Sequence, residues 1–243
     1  MKSSVGTIAV AIACIIAALI ISKAYTYKFK GSENIMVTGA AEKDFTSDQI
    51  VWDGYFNRKM MDLKSAYALL KQDETTIRNY LRGKGVDEKE MVFSAIRIDK
   101  DFNTKYDQDG RMIGNEFTGY NLRQTVTVDS RDIVKVEKIS REITELIESG
   151  IEFTSSSPSY YYSKLSELKI DLLAQASADA HLRAETIAKN SKGGLGALRK
   201  ATMGVFQITG KNSDEDYSYG GVFNTSSKEK TATITLRVEY ALD

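Results

Sequence analysis

Residues 163–196, SKLSELKIDLLAQASADAHLRAETIAKNSKGGLG, hold the longest helical pattern of the 243-residue chain. Apolar or small side chains recur every three or four positions from Ser163 to Lys192, which predicts a helix with one buried face, and Gly193 and Gly194 end it. The buried face is predicted to consist of Leu165, Leu168, Leu172, Ala176, Ala180, Ala184, Ile187 and Ala188. Because alanines leave room for a close neighbour, we expect this helix to pack tightly against a sheet or a partner.

Segments of alternating polarity lie before and after this helix. Residues 231–240 and 120–129 alternate apolar with polar side chains, which predicts antiparallel strands with one buried face each. Further strands are predicted over 35–39, 50–60, 91–101, 151–158 and 201–209, and further helices over 62–82 and 130–149. The order ββα, ββα, βα, ββ predicts an α+β fold with antiparallel sheets and three helices.

The N-terminal segment, residues 1–24, is predicted to be a signal peptide or a membrane anchor. Its apolar run, residues 5–21, follows Lys2 and has the minimum length for a membrane-spanning helix. Ser22-Lys23-Ala24 fits a cleavage site, whereas the lysines after it disfavour translocation, so both cleavage and retention stay open.

The remainder of the chain is divided into a short tether and one domain. Residues 25–33 are polar and form the predicted tether, and residues 34–243 form the predicted domain. Either outcome for the N-terminal segment places the domain outside the cytoplasm, in the periplasm or on the outer side of the cytoplasmic membrane.

Composition excludes several classes of site. The 33 basic and 33 acidic residues balance, so the chain lacks the electrostatic footprint of a nucleic-acid-binding protein. Cys14 is the only cysteine and His181 the only histidine, which excludes zinc sites built from both types in the domain. No G-x-S-x-G turn is present to carry a nucleophile. The sequence therefore predicts no catalytic residue, no metal site and no cofactor.

Two acidic segments are interpreted as solvated loops. Residues 99–110, DKDFNTKYDQDG, resemble a calcium loop, but the spacing of the carboxylates does not match one. Asp214, Glu215 and Asp216 are interpreted as a charge run facing solvent.

Tyrosines form the candidate interaction surface. They occur as Tyr160, Tyr161 and Tyr162 before the long helix and as Tyr217 and Tyr219 in the Tyr-rich loop 214–223. Tyrosine supplies amphipathic contact area at low entropic cost, and exposed aromatic residues concentrate at interfaces.

Four motifs in order resemble the SIMPL-domain family. Residues 35–41, IMVTGAA, resemble its opening strand I-x-V-x-G-x-G, and residues 80–86, YLRGKGV, resemble a helix end and turn of the family. Residues 119–128, GYNLRQTVTV, are similar to its G-Y-x-A-x-x-x-V-x-V strand, and the alanine-rich helix ending in GGLG resembles the corresponding helix. The resemblance covers almost the whole chain after residue 33.

The resemblance implies an exported bacterial envelope protein without an established enzymatic activity. Some relatives form large homo-oligomers, and some are linked to oxidative or envelope stress. We therefore expect a non-enzymatic, self-assembling extracytoplasmic protein. The alternative is a binding module that captures a glycan or a protein partner through the loop 214–223 and its Tyr217 and Tyr219.

Overall fold

The computed structural model describes residues 12–25 and 34–242. A first helix, α1, covers residues 12–25. The elements that follow are β1 Asn34–Thr46, β2 Gln49–Met60, α2 Leu63–Gly83, β3 Met91–Phe93, β4 Arg97–Tyr106, β5 Met112–Ser130, α3 Ile133–Glu142, β6 Phe153–Ser155, β7 Ser159–Tyr161, α4 Leu165–Asn190, β8 Leu195–Met203, β9 Gln207–Gly210 and β10 Glu229–Leu242. Short 3₁₀ turns cover Glu88–Glu90 and Ile143–Ser149.

The first sheet has β10 at its centre and α4 on one face. Strand β1 pairs with one edge of β10 over its whole length, and β8 and β9 pair in succession with the other edge, all antiparallel. The buried residues of α4 are Leu168, Leu172, Ala176, Ala180, Ala184 and Ala188. They pack on alternate side chains of β1 and β10 and form one of two hydrophobic cores.

Contact between α4 and β1 is unusually close at Gly39. A Cβ atom built there lies 2.2 Å from the backbone oxygen of Ala176 and 2.5 Å from the backbone nitrogen of Ala180. Only a residue without a side chain fits, because backbone atoms of a helix cannot move aside independently. The predicted tight packing of the alanine face is therefore confirmed, and the partner is the sheet.

The second sheet carries the other core. Strand β5 pairs with β2, and further antiparallel partners extend both sides: β3 and β4 beside β5, and β6 and β7 beside β2. Helices α2 and α3 cover one face, where Trp52 and Phe56 are fully buried. The side chains of Asp62 and Asp132 accept backbone amide hydrogen bonds at the starts of α2 and α3, which fixes where these helices begin.

The α+β class and the antiparallel sheets are confirmed, but the predicted helix count and order are wrong. The described residues contain four helices, because residues 12–25 are helical in addition to α2, α3 and α4. The predicted strand 91–101 is two strands, β3 and β4, and the predicted strand 201–209 is likewise β8 and β9. The predicted 151–158 strand is the three-residue β6, and β7 follows it. Each division occurs where the pairing register changes or the chain leaves its partner strand.

Only part of the predicted N-terminal segment is described. Residues 1–11 and the tether residues 26–33 lie outside the described part, as does Asp243. Within residues 12–25 and 34–242, no helix combines the length and the hydropathy that a membrane span requires.

Replacement of Gly39 by alanine tests the close contact between α4 and β1. We expect Gly39→Ala to lower the free energy of unfolding by about 2 to 3 kcal/mol, because the new methyl group overlaps helix backbone. Urea denaturation followed by circular dichroism measures the change.

Gly83→Ala is the matched control for this substitution. A Cβ atom at Gly83, the last residue of α2, meets no atom within 4 Å. Alanine there is expected to leave stability unchanged or to raise it by about 0.5 kcal/mol. Equal effects of the two substitutions would contradict the packing argument.

Candidate functional site

The Tyr-rich loop is held by its own polar side chains. The Glu215 carboxylate accepts hydrogen bonds from the Gly210 amide at 2.9 Å and from the side-chain amide of Asn224, which is itself buried. The hydrogen bond from Gly210 lowers the pKa of Glu215. The side chain of Gln207 donates to the Ser218 oxygen and accepts from the Val222 amide, both at 2.9 Å. Glu215 is exposed, as a solvated charge run predicts, and it also holds the loop through these two hydrogen bonds.

A cavity of about 420 Å³ lies between this loop and the first sheet. It is lined by Met203, Gly204, Val205, Gln207, Tyr217, Ser218, Tyr219, Thr233, Ile234 and Thr235. The Tyr217 hydroxyl lies 3.4 Å from the Thr233 Oγ1 atom, and the Tyr219 ring is fully exposed. Because the lining combines aromatic, apolar and neutral polar groups without a charged side chain, it suits a neutral ligand or an uncharged protein side chain.

Lys230 joins the loop to the second sheet. Its side chain is fully buried, and its ammonium donates to the backbone oxygens of Tyr160 and Asn224, each at 2.6 Å. Burial lowers the pKa of the Lys230 ammonium to about 8, and Glu215 partly opposes this shift. Two main-chain oxygens from different parts of the chain therefore hold a single buried cation.

The three tyrosines before α4 have separate environments. Tyr160 lies on β7, where its hydroxyl donates to Glu137 at 2.9 Å, and burial raises its pKa to about 12. Tyr161 pairs with Gln49 on β2, and the Tyr162 ring packs 4.9 Å from that of Phe45.

The two predicted tyrosine sets therefore have different relations to the cavity. Tyr217 and Tyr219 share it, whereas Tyr160 reaches the loop only through its backbone. The buried Lys230 was missed by the sequence analysis. The sequence gives one indication of it, since position 230 belongs to the alternate positions of β10 that are otherwise apolar and face the core.

The other charged or titratable candidates have structural partners. The His181 ring contacts Tyr240 edge to face at 5.7 Å. Asp99 pairs with Arg97 and Asp101 with Lys59, while Asp107 accepts from the backbone amides of its own turn. No group of three His, Cys, Asp or Glu side chains within residues 12–25 and 34–242 is arranged to hold a metal ion.

A second exposed surface is the ribbon, defined as β4 with residues 112–119 of β5. It extends the second sheet beyond the part that the helices cover, and much of the segment predicted as a solvated loop belongs to it. Alternate residues of β4 share a face, so Ile98, Lys100, Phe102, Thr104 and Tyr106 lie on one side. The three apolar residues of this set, Ile98, Phe102 and Tyr106, are each at least half exposed. The opposite face carries charged residues. The ribbon is therefore amphipathic, with an uncovered apolar face.

Titration of Lys230 gives a prediction with a defined sign. Below pH 8 both the folded and the unfolded chain hold the Lys230 proton, so the cost of burying the charge is fully present. Between pH 8 and the ordinary pKa of 10.5 the unfolded chain binds more protons, and this group makes stability rise with pH. The contribution to the slope of the unfolding free energy is at most about 1.4 kcal/mol per pH unit.

Urea denaturation between pH 7 and 10 measures this slope. The Lys230→Met variant is expected to lose the rise, while Lys228→Met, which removes a neighbouring lysine and keeps Lys230, is expected to retain it. Parallel stability curves for the parent and Lys230→Met across this range would show that the buried ammonium titrates as an exposed one.

A protein-family model matches most of the chain. The model of a family described as SIMPL, protein of unknown function (DUF541), matches residues 35–240, which include every strand core and helices α2 to α4. No curated protein matches the chain.

Proposed function

This chain belongs to the SIMPL family, and we propose that it is a non-enzymatic protein that assembles with itself outside the cytoplasm. The observation that carries the proposal is the uncovered apolar face of the ribbon. Phe102 is 54% exposed and Tyr106 63% exposed, although both lie in a regular strand. Apolar side chains grouped on one exposed face are typical of an interaction surface.

The ribbon has little to stabilise it alone. A two-stranded ribbon is marginally stable in water, and here one face has only the ring contacts of Phe117 with Phe102 and Tyr120, at 5.7 and 5.1 Å. A protein partner that covers this face buries its exposed apolar side chains and so stabilises the ribbon.

A membrane is a poorer partner for the ribbon than a protein. The turn at its tip, residues 107–110, contains Asp107 and Asp109, which resist insertion into lipid. The apolar residues lie along the side of the ribbon, where another protein surface can cover them.

The location and the lack of catalysis belong to the same proposal. The apolar run 5–21 supports export, with the domain in the periplasm or anchored to the outer side of the cytoplasmic membrane. The single His and single Cys of the sequence support a non-enzymatic role. A connection with envelope or oxidative stress rests on the family resemblance.

Light scattering on a size-exclusion column tests assembly. We expect the chain, as purified from the producing cell and with any bound detergent subtracted, to have a mass several times its 27.0 kDa. The double substitution Phe102→Thr with Tyr106→Thr is expected to reduce the mass towards one chain, because it removes the apolar face and keeps residue types that favour strands.

Val92→Thr serves as the control, since Val92 is 65% exposed on β3 outside the ribbon. It is expected to leave the mass unchanged. A parent chain that stays monomeric at every concentration would overturn the proposal.

The cavity at the Tyr-rich loop supports a second candidate function, capture of a glycan or a protein side chain. Tyr217 and Tyr219 meet at one uncharged cavity, which is the geometry that stacking on a neutral ligand needs.

Arrays of neutral glycans and of peptides test this second function. For any ligand that binds, Tyr217→Ala and Tyr219→Ala are each expected to weaken affinity about tenfold or more, since truncating an aromatic anchor at an interface costs at least ~1 to 2 kcal/mol. Tyr67→Ala, on the exposed part of α2, is the control. Binding that is unchanged by both loop substitutions would exclude the cavity as the binding site.

A further inference from the structure

Two long strand edges are open among residues 34–242. Strand β8 has nine residues and β4 has ten, and each forms an end of its sheet. Seven consecutive residues of β8, 197–203, are exposed, as are nine of the ten residues of β4. An open edge presents unpaired amides and carbonyls that can pair with another strand.

The direction of these groups follows from strand alternation. The Gly204 amide donates to the Thr235 oxygen of β10. Because the direction alternates along a strand, the backbone amides and carbonyls of Met203 and Ala201 point away from β10. Beside the end of β4, the Asp107 amide donates to the backbone oxygen of Arg111 across the ribbon. The backbone amides and carbonyls of Thr104, Phe102 and Lys100 therefore point outward.

Neighbouring edges are already covered by this chain. On β9 the outward amide of Ile208 donates to the Val222 oxygen, and the Ile208 carbonyl oxygen accepts from the Asn224 amide, both at 2.8 Å. The outward amide of Ala40 on β1 donates to the carboxylate of Asp179 on α4 at 2.9 Å. Among the described residues these bonds cover the β9 edge and one amide of the β1 edge, and β4 and β8 carry longer exposed runs than β1 does.

We propose that the β8 edge of one copy pairs with the β4 edge of a second copy and joins the first sheet of one to the second sheet of the next. This inference rests on the proposed self-assembly and names the surfaces that perform it. The similar lengths of the two strands allow pairing along their whole extent.

The apolar faces of the two strands match. Leu198, Ala201 and Met203 of β8 lie opposite the buried residues Tyr240, Val238 and Leu236 of β10, so they share the face that α4 covers. Leu198 and Met203 are each 54% exposed. In a joined sheet this face continues into the apolar face of the ribbon, so that apolar side chains of the two strands lie side by side and shield each other in part.

Charge favours this pairing over pairing of β8 with itself. The only charged residues of β8 are Arg199 and Lys200, so two antiparallel copies of β8 would bring like charges together. The charged face of β4 carries Asp99 and Asp101 together with Arg97 and Lys105. It therefore offers carboxylates to these cations, which a second copy of β8 does not.

The assembly that results is head to tail. Because the two surfaces differ, each copy uses one edge for the preceding molecule and the other for the next, which gives a closed ring or a filament.

Edge-blocked variants test the pairing, with masses measured by light scattering on the full chain. Ala201→Pro and Thr104→Pro each remove one outward amide, and proline is tolerated on an edge strand when its missing N–H faces solvent. Each variant alone is expected to be monomeric. A 1:1 mixture is expected to give dimers of about twice 27.0 kDa and nothing larger, because each variant keeps one working edge.

Valine variants and charge reversal are the controls. Ala201→Val and Thr104→Val keep the amides and are expected to assemble as the parent does. If circular dichroism shows that a proline variant fails to fold, charge reversal tests the pairing instead. Arg199→Glu with Lys200→Glu is expected to weaken assembly at least tenfold. Adding Asp99→Lys with Asp101→Lys in the same chain is expected to restore it.

Other outcomes contradict the inference in distinguishable ways. Folded proline variants that assemble as the parent does, a mixture that remains monomeric, or charge reversal without effect would each overturn the β4 to β8 pairing while self-assembly itself stands. A parent that is monomeric at every concentration would overturn the proposed function and this inference together.

Discussion

The contact between the backbone of α4 and Gly39 is the constraint on which the first sheet depends. It lets the alanine face of the helix lie directly on β1 and β10, with no large side chain between them. The same closeness brings Asp179 to the Ala40 amide and Asp171 to Lys43, so that α4 is also bonded to the outer edge of β1 at these two residues. Only the opposite side of β10 is left for β8, β9 and the Tyr-rich loop.

Features that depend on local periodicity could be predicted from the sequence, whereas features that join distant segments could not. The alternation of β5 and β10 and the buried face of α4 follow from side-chain spacing alone. The divisions between β3 and β4 and between β8 and β9 depend on how the partner strand pairs, which local polarity does not encode. The role of Lys230 likewise depends on a carbonyl group 70 residues away.

The tyrosine sets illustrate the same difference. Tyr217 and Tyr219 are two residues apart in a loop and reach one cavity. Tyr160, Tyr161 and Tyr162 are consecutive at the end of an extended segment, where neighbouring side chains point to opposite faces. Proximity in sequence therefore coincides with a shared cavity for the first set and not for the second.

The partners of the Lys230 ammonium have a consequence for sequence change. Both are main-chain oxygens, which every amino acid supplies, so the bond to residue 160 does not require a tyrosine there. Lys230 itself has no substitute of equal shape, since arginine is larger and every other side chain lacks the cation at that reach. Related chains can therefore keep the hydrogen bonds of the Lys230 ammonium while the residue at position 160 changes. Position 230 is where substitutions should be rare.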